Sequence, residues 1–346
     1  MKIPETNPWV SVGTSLGSGG QAEVYLVSRR DQSDQRKYAL KVLKHVESKQ
    51  ARDRFAHEIE AVKLLDSPFI AKIIDHSNPD DSFQYYTMEY YEGARTLANI
   101  IFSGLNPFHG NALKCLDVFE SLVLCIRACE QAKPSIVHRD ITPKNILILP
   151  DGSIRLIDFG ICLIQDAQRV TLLDEDVGTR NYTAPECEAG NDSEIGPHSD
   201  LYSAAKVLWS CVTSQRAFAR EKPVFANRGL EIVLSDAPLT WHLNLIFEKT
   251  IRANYKNRLG YAQLVLDLVR EVRYLIKRGF PPMREIARRC PSCGHSEIAD
   301  FPGAHSVFGN PNPPGVEAFM CRYCGFGFVR NVDYLRKNYE RFLESE

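Results

Sequence analysis

Residues 17–28 read GSGGQAEVYLVS (Gly17–Ser28), three glycines within four positions followed by a run of strand-forming residues. Glycine gives up conformational entropy in a strand or turn, and the usual return is close approach of the backbone to something, often a phosphate. Alone, the stretch describes an ordinary tight β-turn equally well, so its meaning depends on the sequence around it.

Working outward, AEVYLVS and KYALKVL alternate apolar and polar residues with period two and predict strands. ARDRFAHEIEAVKLL places Phe55, Ile59 and Val62 at helical spacing and predicts a helix. IAKIIDHS and FQYYTMEYY predict two more strands. Between about residues 112 and 275 the pattern turns helical, in ALKCLDVFESLVLCIRACEQA, SDLYSAAKVLWSCVTS and AQLVLDLVREVRYLIK. The expected class is α+β: a small β-rich lobe over 9–92, a larger helical lobe over 93–275, and a cleft between them. RGFPPMREIARR belongs to a linker over 276–289. The Pro-, Gly- and Asn-rich FPGAHSVFGNPNPPG lies in a looped mini-domain over 290–330, and 331–346 is a C-terminal helix or tail.

Composition sets the outer limits. The chain has 346 residues, 44% hydrophobic and 25% charged, enough to build a core without staples. A net charge of −1 gives no global field toward nucleic acid or anionic membrane. MKIPETNPWV has no apolar signal-like region and no stretch is long enough to span a bilayer, so a cytoplasmic, membrane-free protein is expected. Of ten cysteines, Cys115, Cys125, Cys129, Cys162, Cys187 and Cys211 sit among apolar residues, as reduced core thiols do.

Beyond the glycines come YALKVL with Lys41, HEIEAV with Glu58, VHRDITPKNILI, IDFG and TAPE. In this order they resemble the signature set of eukaryotic-like (Hanks-type) serine/threonine protein kinases, over about residues 10–275. The resemblance implies a bilobal kinase fold, ATP and Mg²⁺ as cofactors, and protein substrates. Gly17 and Gly19 then cover the triphosphate, with Ala22 where the family usually has its third glycine. Leu16, Val24, Ala39, Glu89, Tyr91 and Leu147 become adenine-side residues. Lys41 is expected to hold the α- and β-phosphates. A lysine facing an interior needs a partner, and the resemblance supplies Glu58. Glu58 shares the inward helical face of Phe55 and Val62, which favours it over Glu60. Asp140 takes the role of accepting the substrate hydroxyl's proton, with Asn145 and Asp158 as magnesium ligands.

The sequence departs from the family at Thr142, where serine/threonine kinases carry lysine two residues after the catalytic aspartate. Lys144 stands two residues further on, the position of an arginine in many tyrosine kinases, and is the candidate to supply the missing cation. Thr179 in GTRNYTAPE leans toward serine/threonine specificity. Arg139 is expected to meet an anion on the activation segment, Asp158–Glu186. That anion is either the acidic run Asp174, Glu175 and Asp176 or a phosphate on Thr171. A solvated surface run accounts for the carboxylates equally well. Asp200 resembles the aspartate that braces the catalytic loop, Arg258 the partner of Glu186, and Ala205 replaces a usual glycine.

The other four cysteines form CPSCG (Cys290, Cys293) and CRYCG (Cys321, Cys324), two C-x2-C knuckles separated by 27 residues. Four soft ligands on glycine-ended knuckles suit tetrahedral Zn²⁺ in a structural ribbon, with His295 and His305 in reserve. A protein-binding or substrate-selecting role for the ribbon is favoured over nucleic acid. The rival classes are a pseudokinase scaffold that presents the ribbon, for which Thr142 and Ala22 argue, and a small-molecule kinase of related fold.

Overall fold

The computed structural model describes residues 3–31, 36–164, 180–188, 192–218, 230–234, 236–278, 298–300, 316–321 and 327–331. The chain packs into two compact units, one of Met1–Ile100 with Ser121–Ala204, the other of Ile101–Glu120 with Ala205–Glu346.

The first unit is built on a five-stranded antiparallel sheet. Its strands are β1 (Trp9–Ser18), β2 (Ala22–Arg29), β3 (Lys37–Leu43), β4 (Ile73–His76) and β5 (Tyr85–Glu89), in the order β1-β2-β3-β5-β4. The strands expected at 70–77 and 83–91 are therefore shorter than the apolar runs. Ile70 instead makes an isolated bridge to Leu156. Period-two alternation sorts β3 into two faces. Tyr38, Leu40 and Val42 pack with Trp9, Val27 and Tyr85 in one core. Trp9 is fixed there by its indole N–H, which donates to Asp75 Oδ2 at 2.7 Å. Leu43, on the alternate face of β3, packs with Phe55, Ile59 and Tyr86 in a second core.

Helix α1 (Lys49–Lys63) supplies Phe55 and Ile59 to that second core. It starts at Ser48, whose hydroxyl accepts from the Ala51 amide, and ends with Lys63 in its last turn. Its buried face is Arg54, Phe55, Glu58, Ile59, Ala61 and Val62. Further along, the short strands β6 (Arg95–Thr96), β8 (Ile146–Ile148) and β9 (Ile154–Leu156) form a three-stranded sheet. Strand β7 (Ile136–Val137) pairs with β10 (Leu163–Ile164). These hairpins carry the loop 138–145 and the segment around residue 158.

Helices α2 (Leu97–Ile101), α3 (Ala112–Gln131), α4 (Pro185–Glu188), α5 (Pro197–Thr213), α6 (Leu230–Val233), α7 (Asn244–Thr250) and α8 (Ala262–Lys277) complete the helical complement described. In the second unit α8 buries Val265, Leu266, Val269, Val272 and Ile276 along one stripe. Arg273 on α8 donates to Asp117 and Glu120 of α3, both at 2.7 Å. The same unit contains an antiparallel sheet of β11 (Ile298–Asp300), β12 (Val316–Cys321) and β13 (Gly327–Asn331), in which Ile298 pairs with Cys321 and Phe319 with Phe328. Among the described residues no helix is long and apolar enough to cross a membrane.

Candidate active site

Strand alternation turns Lys41 to the face of β3 that meets α1, and the helical period turns Glu58 to meet it. The Lys41 ammonium donates to both oxygens of Glu58, at 2.7 and 2.9 Å, and to Asp158 Oδ1 at 2.9 Å. Burial alone lowers the lysine, but the charges of Asp158 and Glu58 outweigh it and hold Lys41 well above its usual range. Burial raises the Glu58 carboxyl, and Lys41 opposes that rise. The Lys41 charge takes Asp158 down to about 2. The Asp158 side chain remains 46% exposed while Glu58 is 3% exposed. Glu58 is thus an internal counter-charge, whereas Asp158 is open to an incoming cation.

The loop 138–145 gathers the second group. Asn145 Nδ2 donates to Asp140 Oδ2 at 2.8 Å and to its carbonyl at 3.0 Å, which fixes the carboxylate beside the amide. Pro143–Asn145 form a 3₁₀ turn closed by the Asn145 amide on the Thr142 carbonyl. Asp200, 1% exposed, accepts the amides of His138 at 2.7 Å and Arg139 at 2.9 Å. Burial still pushes its carboxyl up to about 7. His138 accepts the Asp140 amide on Nδ1 at 3.2 Å, and burial lowers it to about 4, so it is neutral. Arg139 and Asp158 both adopt positive φ, 69° and 67°, a conformation non-glycine residues rarely hold without being constrained. Arg139 directly precedes Asp140, and Asp158 is itself the carboxylate that meets Lys41.

The glycines of the opening stretch are not demanded by the chain's own packing. A Cβ at Gly17 or Gly20 would meet nothing within 4 Å, and at Gly19 only the Ala22 carbonyl at 3.8 Å. The hairpin is bare toward its surroundings, as a cradle for an external group requires.

The protein kinase domain family matches residues 10–267. The chain belongs to the protein kinase family. Serine/threonine-protein kinase PrkC of Bacillus subtilis is 33% identical over 211 residues, 60% of this chain and 31% of that protein. Serine/threonine-protein kinase PknB of Mycobacterium leprae is 32% identical over 301 residues, 81% of this chain and 44% of that protein. The chain therefore spans less than half the length of these relatives. The crystal structure of the Mycobacterium tuberculosis PknI kinase domain matches with a TM-score of 0.57 at 22% identity, covering 77% of this chain and 96% of that one. The fold is accordingly the protein kinase fold, with a β-rich N-lobe and a helical C-lobe.

The remaining expected residues of this kinase domain fall as follows. Leu16 is exposed on β1, Val24 and Leu147 are half-buried on β2 and β8, and Ala39 is buried on β3. Glu89 closes β5. The Tyr91 hydroxyl donates to Glu89 Oε2 at 2.7 Å and accepts from Arg155 Nε at 3.2 Å. Burial, then the Glu89 bond, raises Tyr91 to about 12. Thr142 is buried and Lys144 is exposed beside Asn145. Glu186 accepts from the Ser199 hydroxyl at 2.7 Å, and Arg258 donates to the Arg252 carbonyl at 2.7 Å. Thr171, Asp174, Glu175, Asp176, Thr179, Cys290, Cys293, Cys324, His295 and His305 lie outside the described residues, as does the Cys321 side chain at the end of β12. Among the described residues no cluster of metal-binding side chains occurs.

Sequence reasoning missed two members of the site. Tyr86 pairs with Lys41 across β3 and β5, and its hydroxyl donates to Glu58 Oε1 at 2.7 Å. Its place opposite Lys41 in the alternating run was the available signal. Gly160 is the other: a Cβ there would lie 3.1 Å from Asp158 Oδ1 and 3.6 Å from Glu58 Oε2, crowding the carboxylates on either side of Lys41.

Proposed function

We propose that this protein transfers the terminal phosphoryl group of ATP to serine and threonine hydroxyls of protein substrates. The observation that carries the reading is Lys41 held between buried Glu58 and exposed Asp158. Pinned in this way, the ammonium is aimed by the fold and presented to phosphate oxygens. Asp140, its carboxylate fixed by Asn145, is the group that accepts the substrate hydroxyl's proton and orients that oxygen for attack. Asp158 and Asn145 would hold Mg²⁺, whose charge neutralises phosphate oxygens. A half-exposed carboxylate and a side-chain amide oxygen are hard oxygen donors of the kind that ion takes. With no Cβ at Gly17, Gly19 or Gly20, the backbone of the hairpin can approach the phosphates closely.

In this reading Lys144 supplies the cation that Thr142 lacks, from the exposed side of the loop. The four C-terminal cysteines bind one structural Zn²⁺ in a module that recruits a protein partner or substrate. Cys115, Cys125, Cys129, Cys162, Cys187 and Cys211 are free thiols, five of them buried, as in a reducing compartment such as the cytoplasm. Because Thr142 departs from the serine/threonine pattern, a nucleotide-binding scaffold without turnover is the second reading.

Incorporation of labelled phosphate from ATP into the protein itself and into serine, threonine and tyrosine peptides, beside Asp140→Asn, separates the two. Transfer to serine and threonine that disappears in Asp140→Asn supports catalysis. Nucleotide binding without transfer supports the scaffold. Unchanged turnover in Lys144→Ala removes that residue from the mechanism.

A further inference from the structure

The tip of the glycine hairpin has an unusual tether. Among the described residues strand β1 is the edge of its sheet and pairs only with β2, so the turn between them, Ser18 to Gln21, has no described strand on its outer side. Lys44, immediately after β3, reaches across the start of β2 to this turn. Its ammonium donates to Ser18 Oγ and to the Gly19 carbonyl, both at 2.7 Å. Its own amide donates to the Gln21 carbonyl at 2.9 Å. Within the turn, the Gly19 N–H donates to the Ala22 carbonyl at 2.9 Å. One residue from outside the hairpin thus grips three of its four tip positions.

We infer that Lys44 is a positioning residue that latches the glycine hairpin in its folded form before nucleotide arrives, a role that rests on the nucleotide-binding reading above. The physical reason is preorganisation. A hairpin with bare glycines and one free edge is costly to order, and ordering on binding is subtracted from affinity. Lys44 orders the tip within the protein itself. Its ammonium is tied to a hydroxyl and a carbonyl of the hairpin, and its effect on nucleotide passes through the hairpin. Ser18 is the side-chain half of the latch, and Gly19 contributes a carbonyl no substitution removes. The latch therefore predicts a specific coupling: Ser18 matters only while Lys44 is present.

The test is equilibrium binding of a fluorescent ATP analogue with magnesium to the full chain, for wild type, Lys44→Met, Lys44→Arg, Ser18→Ala and the double variant. Lys44→Met is expected to weaken binding about fivefold to tenfold, the size of one or two lost hydrogen bonds. Ser18→Ala should weaken it about twofold to threefold, and the double variant should be no worse than Lys44→Met alone. Saturating single-turnover rates should stay within about twofold, because the latch acts on affinity rather than on the transferring groups. Lys44→Arg keeps the charge, so recovery by Arg alongside a silent Ser18→Ala would show simple attraction of phosphate and overturn the latch. Equal binding by wild type and Lys44→Met, or additive effects in the double variant, overturns it as well. A wild-type protein that binds no nucleotide would instead remove the reading on which the latch rests. Melting temperatures within about 2 °C of wild type distinguish loss of the latch from loss of the fold.

Discussion

The Lys41 ammonium bonds both oxygens of Glu58, 17 positions away in sequence, at 2.7 and 2.9 Å. The pair is deeply buried, with side chains 12% and 3% exposed. Removing one member leaves the other charge without its partner. Lys41→Met is expected to lower stability by roughly 3–5 kcal/mol, the usual result of orphaning a buried charge. It should also reduce phosphoryl transfer by at least about 10²-fold, since an aimed cation is lost from the site of developing charge. Calorimetry and turnover measured on the same preparation check both effects. A variant with wild-type turnover would contradict the role assigned to this lysine.

Asp200 and His138 touch through one hydrogen bond but respond to pH in opposite directions. Burial raises Asp200 from 3.8 to about 7. The folded protein therefore keeps a proton that the unfolded chain releases, so this group's contribution to stability falls as pH rises from 3.8 to about 7. Burial lowers His138 from 6.5 to about 4. The unfolded chain binds that proton first, so its contribution falls as pH drops from 6.5 to about 4. In the wild type the two slopes oppose each other. Asp200→Asn removes one of them and leaves the other. The melting temperature of the variant should therefore fall more steeply than that of wild type on acidification from pH 6.5 to 4. Parallel melting curves across that window would show that Asp200 does not titrate as its burial requires. Turnover should fall too, because the amide of asparagine accepts only one of the two backbone amides that brace the loop.

The contrast between what was legible and what was not follows from the kind of information each residue carries. Alternation in KYALKVL turned Lys41 toward an interior, the family resemblance supplied Glu58 as its partner, and the Phe55–Ile59–Val62 period favoured Glu58 over Glu60 by its inward side. Family motifs named Asp140, Asn145 and Asp158, which the structure gathers in one unit. Tyr86 stayed hidden because an apolar strand position gives no hint that its hydroxyl meets a carboxylate two elements away. Gly160 looked like a motif glycine, and its reason emerges only from the 3.1 Å approach of Asp158. Lys44 belongs to none of the motifs, and only its bonds to Ser18 and Gly19 single it out. Strand ends were overestimated where apolar runs outlast pairing, as at Ile70, which makes a single bridge instead.

Arg54 on α1 and Arg139 in the loop 138–145 are both buried, at 5% and 6% exposure. Burial, and then the charge of Arg139, lowers Arg54. Asp174, Glu175 and Asp176 are the carboxylates proposed to meet Arg139, in place of a phosphate on Thr171. Neutralising them together, by Asp174→Asn, Glu175→Gln and Asp176→Asn, should reduce turnover roughly tenfold, the worth of one charge-assisted hydrogen bond. Thr171→Ala should leave turnover unchanged. Mass spectrometry of active protein decides the matter independently: full phosphorylation at Thr171, with Thr171→Ala inactive, would rule out the acidic substitute.

The strands β11, β12 and β13 form an antiparallel sheet in which Cys321 ends β12 opposite Ile298. This places one of the four knuckle cysteines at the end of a paired strand. The segment over 290–330 carries many Pro, Gly and Asn residues and is too short for a hydrophobic core to stabilise it by itself. Zinc bound by four thiolates supplies folding free energy on the order of 10 kcal/mol in peptides of this kind. Protein purified without chelator is therefore expected to contain one zinc per chain, released stoichiometrically as a mercurial titrates the thiols. Cys290→Ser and Cys321→Ser should each lose the metal and render the segment beyond residue 278 sensitive to protease, while residues 10–267 resist. Metal-free protein with four titratable thiols and the same protease resistance would eliminate the zinc site and leave the sheet to be explained by packing alone.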